Sequence, residues 1–208
     1  MEICRLVLNA KLLKEISETI EPCFKLIEND LKNNTVNQFT CSVTDLSKKN
    51  FEATLNKRFI KCLNQGGIYF IRIATTDSFD ASQLKTEWSQ SRSLKLGKRP
   101  EAVTNHDGKC TIIVDQHTDE CVLYVGSSLK IGSRIKAHFR NSKISPSTSS
   151  LRLRWNPNKY LINVNSIIIN WVSFEGLSNN DKKEEALHNL CRYFESKLGQ
   201  KYKALIGE

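Results

Sequence analysis

The first third of the chain has apolar residues at helical spacing. Up to about residue 33, apolar positions recur every three or four residues, and Pro22 interrupts them. Because proline removes a backbone hydrogen bond inside a helix, this pattern predicts two helices. A further helix is predicted before the glycine pair at 66 and 67. The residues of its apolar face are Phe51, Leu55, Phe59 and Leu63. We therefore expect a helical N-terminal region over residues 1–65.

After residue 66 the hydrophobic pattern becomes that of strands. GIYFIRIAT, which begins at Gly67, is rich in β-branched and aromatic residues and predicts a strand. TIIVD and CVLYVG, separated by polar residues, predict a hairpin, and LINVNSIIINWVSF predicts the last strand. LKIGSRIKAHF predicts a short helix after the hairpin, and the chain from Asp181 to about Leu205 predicts a long one. This alternation indicates a mixed α/β (α+β) domain over residues 66–208.

The composition is that of an ordinary globular protein, with 39% apolar and 25% charged residues. The longest apolar runs, such as SIIINWVSF, have the length of a strand and are far too short to span a bilayer, so we expect no membrane partner. The N-terminal stretch MEICRLVLNAKLL lacks the features of a signal peptide. Seven scattered cysteines argue against a disulfide framework and a zinc site. These observations predict reduced thiols and a cytoplasmic location.

The net charge is +9, and one long stretch in the second half of the chain carries only basic residues. No Asp or Glu occurs between Glu120 and Glu175, whereas eight basic residues do. Such a stretch is either a solvated face or a surface for a polyanion, and its length favours nucleic acid as the partner. The candidate DNA-binding residues are Lys130, Lys136, Arg140, Arg152 and Arg154.

One segment of this basic stretch gathers groups that are used in phosphate chemistry. In CVLYVGSSLKIGSRIKAHF, Tyr124 precedes a glycine at a predicted strand end, and Ser127 and Ser128 follow beside a helix N-terminus, which favours anions. Arg134 and His138 are four residues apart and lie on one side of the predicted helix. Hydrolysis of a phosphodiester needs an acid or base, a cation for the growing charge and usually a carboxylate-bound Mg²⁺. This segment offers the first two.

Two short motifs, GIY at residues 67–69 and YVG at residues 124–126, resemble the pair that names the GIY-YIG nuclease family. In that family an arginine follows the second tyrosine by ten residues, and a histidine often follows four residues later. Arg134 and His138 have this spacing from Tyr124. The resemblance covers residues 67–206. It implies a three-stranded antiparallel sheet flanked by helices, and cleavage of DNA with one divalent metal ion, Mg²⁺ or Mn²⁺.

The resemblance implies a role for each matching residue. Tyr69 matches the tyrosine that activates or positions the water, and Tyr124 matches the one that binds water or phosphate. Arg134 matches the arginine that stabilises the charge of the transition state. His138 matches the histidine that assists proton transfer or holds a phosphate. These four residues and a glutamate are the predicted catalytic group.

The metal-binding glutamate has two candidates. ESKLGQKYKALIG, which begins at Glu195, resembles the family pattern on the helix after the third strand. Glu184 begins the same predicted helix, and both glutamates lie beside its apolar face. We favour Glu195 as catalytic and metal-binding residue, with Glu184 as the alternative. Ala204 stands where the family has a proline, and Gly207 stands where it has an asparagine.

The motif tyrosines are 55 positions apart, which predicts an insertion around residues 75–115. Among family members, restriction enzymes are expected to carry such insertions as target-binding elements. The expected function is therefore a Mg²⁺-dependent DNA endonuclease of restriction type. Cutting both strands would require a homodimer or two successive events. The alternatives are a noncatalytic nucleic-acid-binding module and a repair or mobile-element nuclease.

Overall fold

The computed structural model describes most of the chain. The described residues are 10–33, 37–84, 86–87, 112–115, 118–141, 151–154, 156–174, 181–202 and 204–206. The predicted insertion around residues 75–115 therefore lies largely outside them, apart from its two ends.

An antiparallel sheet forms the centre of the described structure. Its strands are β1 (Gln38–Ser42), β2 (Gly66–Thr75), β3 (Ile112–Asp115), β4 (Thr118–Ser128) and β5 (Val164–Phe174). Their order across the sheet is β1-β5-β2-β4-β3. β2 is the central strand in this order. Its first eight residues are buried, because both of its faces are covered. The two motifs lie on β2 and β4, which are neighbours in the sheet.

The α+β class is confirmed, but within the described residues the sheet has five strands where three were expected. β3 forms one edge, as the predicted hairpin partner of β4. β1 forms the other edge and pairs with β5, which places Phe39 opposite Ile169. It lies inside residues 1–65, so the predicted N-terminal region is not purely helical. The segment QFTCS is too short for its alternation of apolar and polar residues to identify a strand. β1 is defined by its hydrogen bonds to the partner strand β5.

Helices cover both faces of the sheet. They are α1 (Ala10–Asn33), α2 (Phe51–Phe59), α3 (Ile131–His138), α4 (Pro157–Tyr160) and α5 (Asp181–Tyr202). A short helical stretch also follows Asp80, whose Oδ1 accepts the backbone N–H groups of Ser82 and Gln83 as an N-cap. None of the described helices combines the length and the apolarity that crossing a membrane requires.

The prediction of two helices on either side of Pro22 was wrong, because α1 continues through that residue. A proline inside a helix costs roughly 3 kcal/mol. Here the helix is held by packing on α5, which buries Phe24, Ile27 and Leu31. Tertiary contacts therefore outweigh the local preference for a break.

The sheet separates two apolar clusters. On one face, α2 and α3 pack against Tyr69, Ile71 and Ile73. On the opposite face, α1 and α5 pack against Ile68 and Phe70. We call these the α3 face and the α5 face. This alternation along β2 places the first motif tyrosine on the α3 face.

Polar contacts complete the α5 face. Arg72 is buried and bonds Glu120 on β4 through Nη1 at 2.6 Å and Asn170 on β5 through Nη2 at 2.7 Å. Glu28 on α1 is also buried, accepts the hydroxyl of Tyr202 and pairs with Lys201 on α5 at 2.7 Å. These paired groups tie the three central strands together and tie α1 to α5.

Two glycines should respond in opposite ways to substitution by alanine. A Cβ on Gly67 would overlap the carbonyl oxygen of Val172 and lie 2.9 Å from Ile131 Cδ1, whereas a Cβ on Gly199 would meet nothing within 4 Å. We expect Gly67→Ala to lower the free energy of unfolding by about 1–3 kcal/mol, because β5 cannot move away without breaking the ladder. We expect Gly199→Ala to raise it by about 0.5–1 kcal/mol, because alanine favours the helix. Denaturant titration of both variants measures the two changes, and a destabilised Gly199→Ala would contradict this account of α5.

Candidate active site

The register between β2 and β4 brings the two motif tyrosines together. Tyr69 lies directly opposite Gly126, and Tyr124 precedes that glycine by two residues. Residues two apart on a strand share a face, so both phenols lie on the α3 face. Their ring centroids are 6.0 Å apart.

The glycine of the second motif is required by these rings. A Cβ on Gly126 would overlap the Cζ and Oη atoms of Tyr69 and lie 2.5 Å from Tyr124 Cε1. The ring of Tyr69 therefore lies across the space that any other residue at position 126 would fill. The spacing of the motif has a steric cause, which is close packing of two phenols over one strand.

His138 lies at the end of α3 and contacts both tyrosines. Its side chain is completely buried, its ring centroid is 5.1 Å from that of Tyr124, and its Nε2 is 2.6 Å from Tyr69 Oη. The other ring nitrogen, Nδ1, accepts the backbone N–H of Leu151 at 2.9 Å. An accepting Nδ1 carries no proton, so the neutral ring carries its proton on Nε2 and donates it to Tyr69.

This environment does not fit a phosphate ligand at His138. Both ring nitrogens are used inside the protein, and the ring has no exposed surface. The histidine instead orients Tyr69. Of the two roles that the resemblance implied for His138, assistance to proton transfer through Tyr69 is the one compatible with this geometry.

Arg134, one turn earlier on α3, brings its guanidinium to both phenols. Burial lowers the pKa of Arg134, but interaction and hydrogen bonding with Tyr69 and Tyr124 more than offset this, and the net pKa is raised. Burial raises the pKa of both tyrosines, and the guanidinium opposes that increase. Arg134 is therefore a fixed cation between two hydroxyl groups, as a group that neutralises growing negative charge must be.

Glu195 reaches the same region from α5. Its carboxylate accepts a hydrogen bond from the hydroxyl of Ser127, the residue after the motif glycine. Its negative charge also raises the pKa of both Tyr124 and Tyr69. Four of the predicted catalytic residues therefore contact one another on the α3 face, namely Tyr69, Tyr124, Arg134 and His138. Glu195 comes from α5 and acts on both tyrosines through its charge.

Glu195 has the chemistry of a Mg²⁺ or Mn²⁺ ligand. It is partly exposed, and the oxygen of Ser127 lies against its carboxylate. Hard divalent cations prefer such oxygen donors, and Mg²⁺ keeps several of its waters when one or two carboxylates bind it. Among the described residues no three His, Cys, Asp or Glu side chains form a metal-binding group, so the fit rests on this single carboxylate. The side chain of Glu184 lies outside the described residues.

The predicted anion cradle at the two serines is occupied by internal contacts. Ser127 donates to Glu195, and the hydroxyl of Ser128 accepts the backbone N–H of Lys130 at 3.0 Å. At the start of α3, the N–H of Ile131 donates to the carbonyl of Gln65 at 2.8 Å. The serines therefore build the site and do not present a free phosphate cradle.

The five basic residues proposed for DNA binding have different environments. Lys130 and Arg140 are exposed, and Lys136 is partly exposed and donates to Asn56. Arg154 is a structural residue, because it donates to the carbonyl of Leu46 at 2.7 Å, pairs with Glu52 at 3.1 Å and covers the ring of Phe51. Arg152 is buried.

Arg154 also lines a polar cleft of about 600 Å³ between the β1–α2 connection and the segment around α4. The cleft presents hydroxyl, amide and ammonium groups, among them Thr44, Ser47, Asn141, Asn158 and Lys159. Such side chains are able to bond to the sugar–phosphate backbone and to base edges. The basic stretch is therefore partly a structural region and partly a polar surface.

Two contributors to the site were not found in the sequence. The backbone N–H of Leu151 fixes the histidine tautomer, and no side chain marks a backbone donor. Ser127 was noted as a phosphate donor, whereas its observed partner is Glu195. That pairing joins residues 68 positions apart and depends on how α5 crosses the sheet.

The tautomer of His138 is directly measurable. Because Leu151 donates to Nδ1, we expect ¹⁵N NMR of histidine-labelled protein to show the Nε2–H form of His138. In Tyr69→Phe the Nε2 proton loses its acceptor, so the tautomer should persist while the Nε2 proton exchanges faster with solvent. A predominant Nδ1–H form in the parent protein would contradict the hydrogen-bond assignment.

Comparison of the chain with protein-family models gives no match. Comparisons with curated proteins and with solved structures likewise give no significant match. The assignment of this site therefore depends on the motif residues and on their geometry.

Proposed function

We propose that this protein is a Mg²⁺-dependent DNA endonuclease that hydrolyses phosphodiester bonds. The observation that supports the proposal is a contacting group of two phenols, a guanidinium and a buried imidazole, together with a carboxylate whose charge acts on both phenols. The histidine bonds Tyr69, the arginine interacts with both tyrosines, and the charge of Glu195 acts on both tyrosines. A merely structural cluster has no need to place a carboxylate where it opposes the ionisation of two phenols.

In this proposal Tyr124 is the phenol that meets water or a phosphate oxygen. Tyr124 is partly exposed, whereas Tyr69 is completely buried. Tyr69 is a buried positioning residue, since it accepts a hydrogen bond from His138 Nε2 and interacts with Arg134. The proposed division of roles follows from solvent access, and it differs from the resemblance, which gave the water to Tyr69.

To remove a proton from the attacking water, Tyr124 must be ionised, which requires its pKa to be lower than it is in the protein alone. Burial and the carboxylate of Glu195 raise the pKa of Tyr124, and Arg134 and Tyr69 lower it. A divalent cation held by Glu195 would neutralise that carboxylate and act as a Lewis acid on the phosphate. With the carboxylate neutralised, a larger fraction of Tyr124 would be ionised, and the phenolate is the form that can accept a proton from the attacking water.

Arg134 is proposed to stabilise the transition state. As the nucleophile attacks, negative charge grows on the nonbridging oxygens of the phosphate, and a guanidinium offers two parallel N–H groups to them. Its two tyrosine partners hold the guanidinium in place before the substrate arrives. Preorganised charge of this kind is the largest single contribution in many phosphoryl-transfer sites.

DNA is the proposed substrate because of the charge around the site. Lys130 directly precedes the helix that carries Arg134 and His138, Lys136 lies in its last turn, and Arg140 follows it. A restriction-type enzyme, working in a reducing cytoplasm as a homodimer or in two successive events, is the form that we propose. The insertion around residues 75–115 would then supply target contacts.

A noncatalytic nucleic-acid-binding module is the alternative. The complete burial of Tyr69 favours it, because a phenol closed to solvent cannot contact a water without movement of its neighbours. The two functions share the basic surface and differ in turnover. Activity measurements distinguish them.

Loss of the Arg134 guanidinium should slow cleavage strongly and spare binding. We expect the parent protein with Mg²⁺ to nick or cut plasmid or phage DNA, and Arg134→Ala to lower the cleavage rate about 100- to 1000-fold, as for removal of one transition-state donor. Gel electrophoresis of cleaved DNA and a binding assay in Ca²⁺ give the two quantities. Lys25→Ala, an exposed residue on α1 across the sheet, is the control for loss of one positive charge.

Parent protein that binds DNA and leaves it intact in Mg²⁺ and Mn²⁺, with methylated and unmethylated DNA, would refute the endonuclease. That result would support the binding module. Equal cleavage by the parent and by Arg134→Ala would refute the assigned site.

Glu195 and Glu184 should differ in their effect on metal dependence. If Glu195 holds the cation, Glu195→Gln removes the ligand. Cleavage should then be undetectable even at Mg²⁺ concentrations that saturate the parent. Glu184→Gln should then keep the parent's Mg²⁺ dependence. Titration of the cleavage rate with Mg²⁺ measures both. The reverse pattern would assign the metal to Glu184.

A further inference from the structure

Arg152 has an unusual backbone position next to the site. It lies between Leu151, which donates to His138 Nδ1 at 2.9 Å, and Leu153, which donates to the carbonyl oxygen of His138 at 2.7 Å. Its φ is 54°, in the left-handed region that side chains other than glycine rarely adopt. The chain is therefore held against His138 on both sides of Arg152, and this costs backbone strain at the residue between.

The side chain of Arg152 is buried without the partners that a guanidinium needs. The residue is 8% exposed, and within the described part of the chain its Nε and Nη1 atoms have no hydrogen-bond partner. Arg154, two residues later, shows the contrast, because its guanidinium bonds Leu46, Glu52 and Lys48. An unpaired buried cation destabilises a fold, and an apolar side chain of similar volume would pack there at lower cost.

The surroundings of Arg152 are positive. Burial lowers its pKa, and the charge of Arg140 lowers it further. The sequence from 121 to 174 contains no Asp or Glu, so the segment that carries both arginines brings no carboxylate of its own. Among the described residues no carboxylate is recorded as a partner of this pair, in which Arg140 is exposed and Arg152 has two buried nitrogen atoms without a bond. Two neighbouring cations of this kind form a site for an anion that approaches from the exposed side of Arg140.

We propose that Arg152, together with Arg140, binds a DNA backbone phosphate that neighbours the scissile one. This proposal rests on the proposed function and extends it to a second phosphate contact. The imidazole of His138 lies between the two places, since Nε2 bonds Tyr69 and Nδ1 bonds the N–H of Leu151, the residue before Arg152. A phosphate on Arg152 would thus be fixed relative to the tyrosines through one buried ring.

The first test compares the stability of two arginine variants without DNA. Arg152→Gln removes a buried charge that has unused donors, so its thermal midpoint should equal or exceed that of the parent. Arg154→Gln removes a fully bonded arginine from the same segment, so its midpoint should fall. A midpoint of Arg152→Gln that falls as far as that of Arg154→Gln, with unchanged DNA binding, would make Arg152 a structural residue and overturn the proposal.

The second test measures binding of phosphate in two forms. Inorganic phosphate should raise the thermal midpoint of the parent and leave that of Arg152→Gln unchanged. For a DNA duplex in Ca²⁺, Arg152→Gln should weaken binding about 10- to 100-fold at fixed salt, the effect of losing a charged hydrogen bond. It should also reduce the slope of log affinity against log salt by about 0.9, which corresponds to one phosphate.

Lys25→Gln is the matched control, because it removes the charge of one exposed lysine of α1, on the opposite face of the sheet. It should keep the parent's phosphate response and salt slope. A salt slope and a phosphate response that are the same in Arg152→Gln as in the parent would overturn the proposal.

The phosphate site and the nuclease can fail separately. Loss of phosphate and DNA binding in Arg152→Gln, in a parent that never cleaves DNA, would support the site and refute the endonuclease. Cleavage by the parent, with binding that does not depend on Arg152, would support the endonuclease and refute the site.

Discussion

The hydrogen bond from His138 to Tyr69 is the interaction on which the rest of the site depends. It holds a buried phenol at 2.6 Å from a buried imidazole, and its direction is set by the N–H of Leu151 on the other ring nitrogen. Because no solvent reaches either group, the proton stays on Nε2 and the oxygen of Tyr69 is always an acceptor. Arg134 then finds two oriented hydroxyl groups. A side chain that lost this bond would leave a buried polar group unpaired, at a cost of roughly 1–3 kcal/mol.

Close packing of backbone and rings sets the geometry around that bond. Gly126 leaves room for the Tyr69 ring over β4, and Gly67 leaves room for the neighbouring strand β5. The glycines of the two motifs thus provide space for neighbouring rings and strands. The charges of the arginine and the glutamate shift the pKa values of the two tyrosines. The site balances opposed charges: Arg134 lowers the pKa of both phenols, and Glu195 raises it. A cation at Glu195 would shift this balance toward ionisation, which gives the proposed metal dependence a physical basis.

The basic stretch contains arginines in different environments that the sequence cannot separate. Arg152 and Arg154 differ by two positions and have the same side chain. Arg154 is bonded to α2 and its preceding turn, whereas the buried Nε and Nη1 atoms of Arg152 find no hydrogen-bond partner among the described residues. The backbone differs as well, because Arg152 has a left-handed φ of 54°. Burial of an unpaired charge is costly, and for that reason it is the observation that suggests a ligand.

The sequence by itself determined the strands that carry the motifs, the helix that carries Arg134 and His138 and the long C-terminal helix. It also identified four candidate catalytic residues and left Glu195 and Glu184 as candidates for the fifth. These follow from local periodicity and from short motif spacing, which act within one element. Only the tertiary structure decided that β1 joins the sheet, that α1 continues through Pro22, and that Ser127 and the N–H of Leu151 complete the site. Those features depend on partners far away in the chain, and the free energy of such contacts is not encoded in any local pattern.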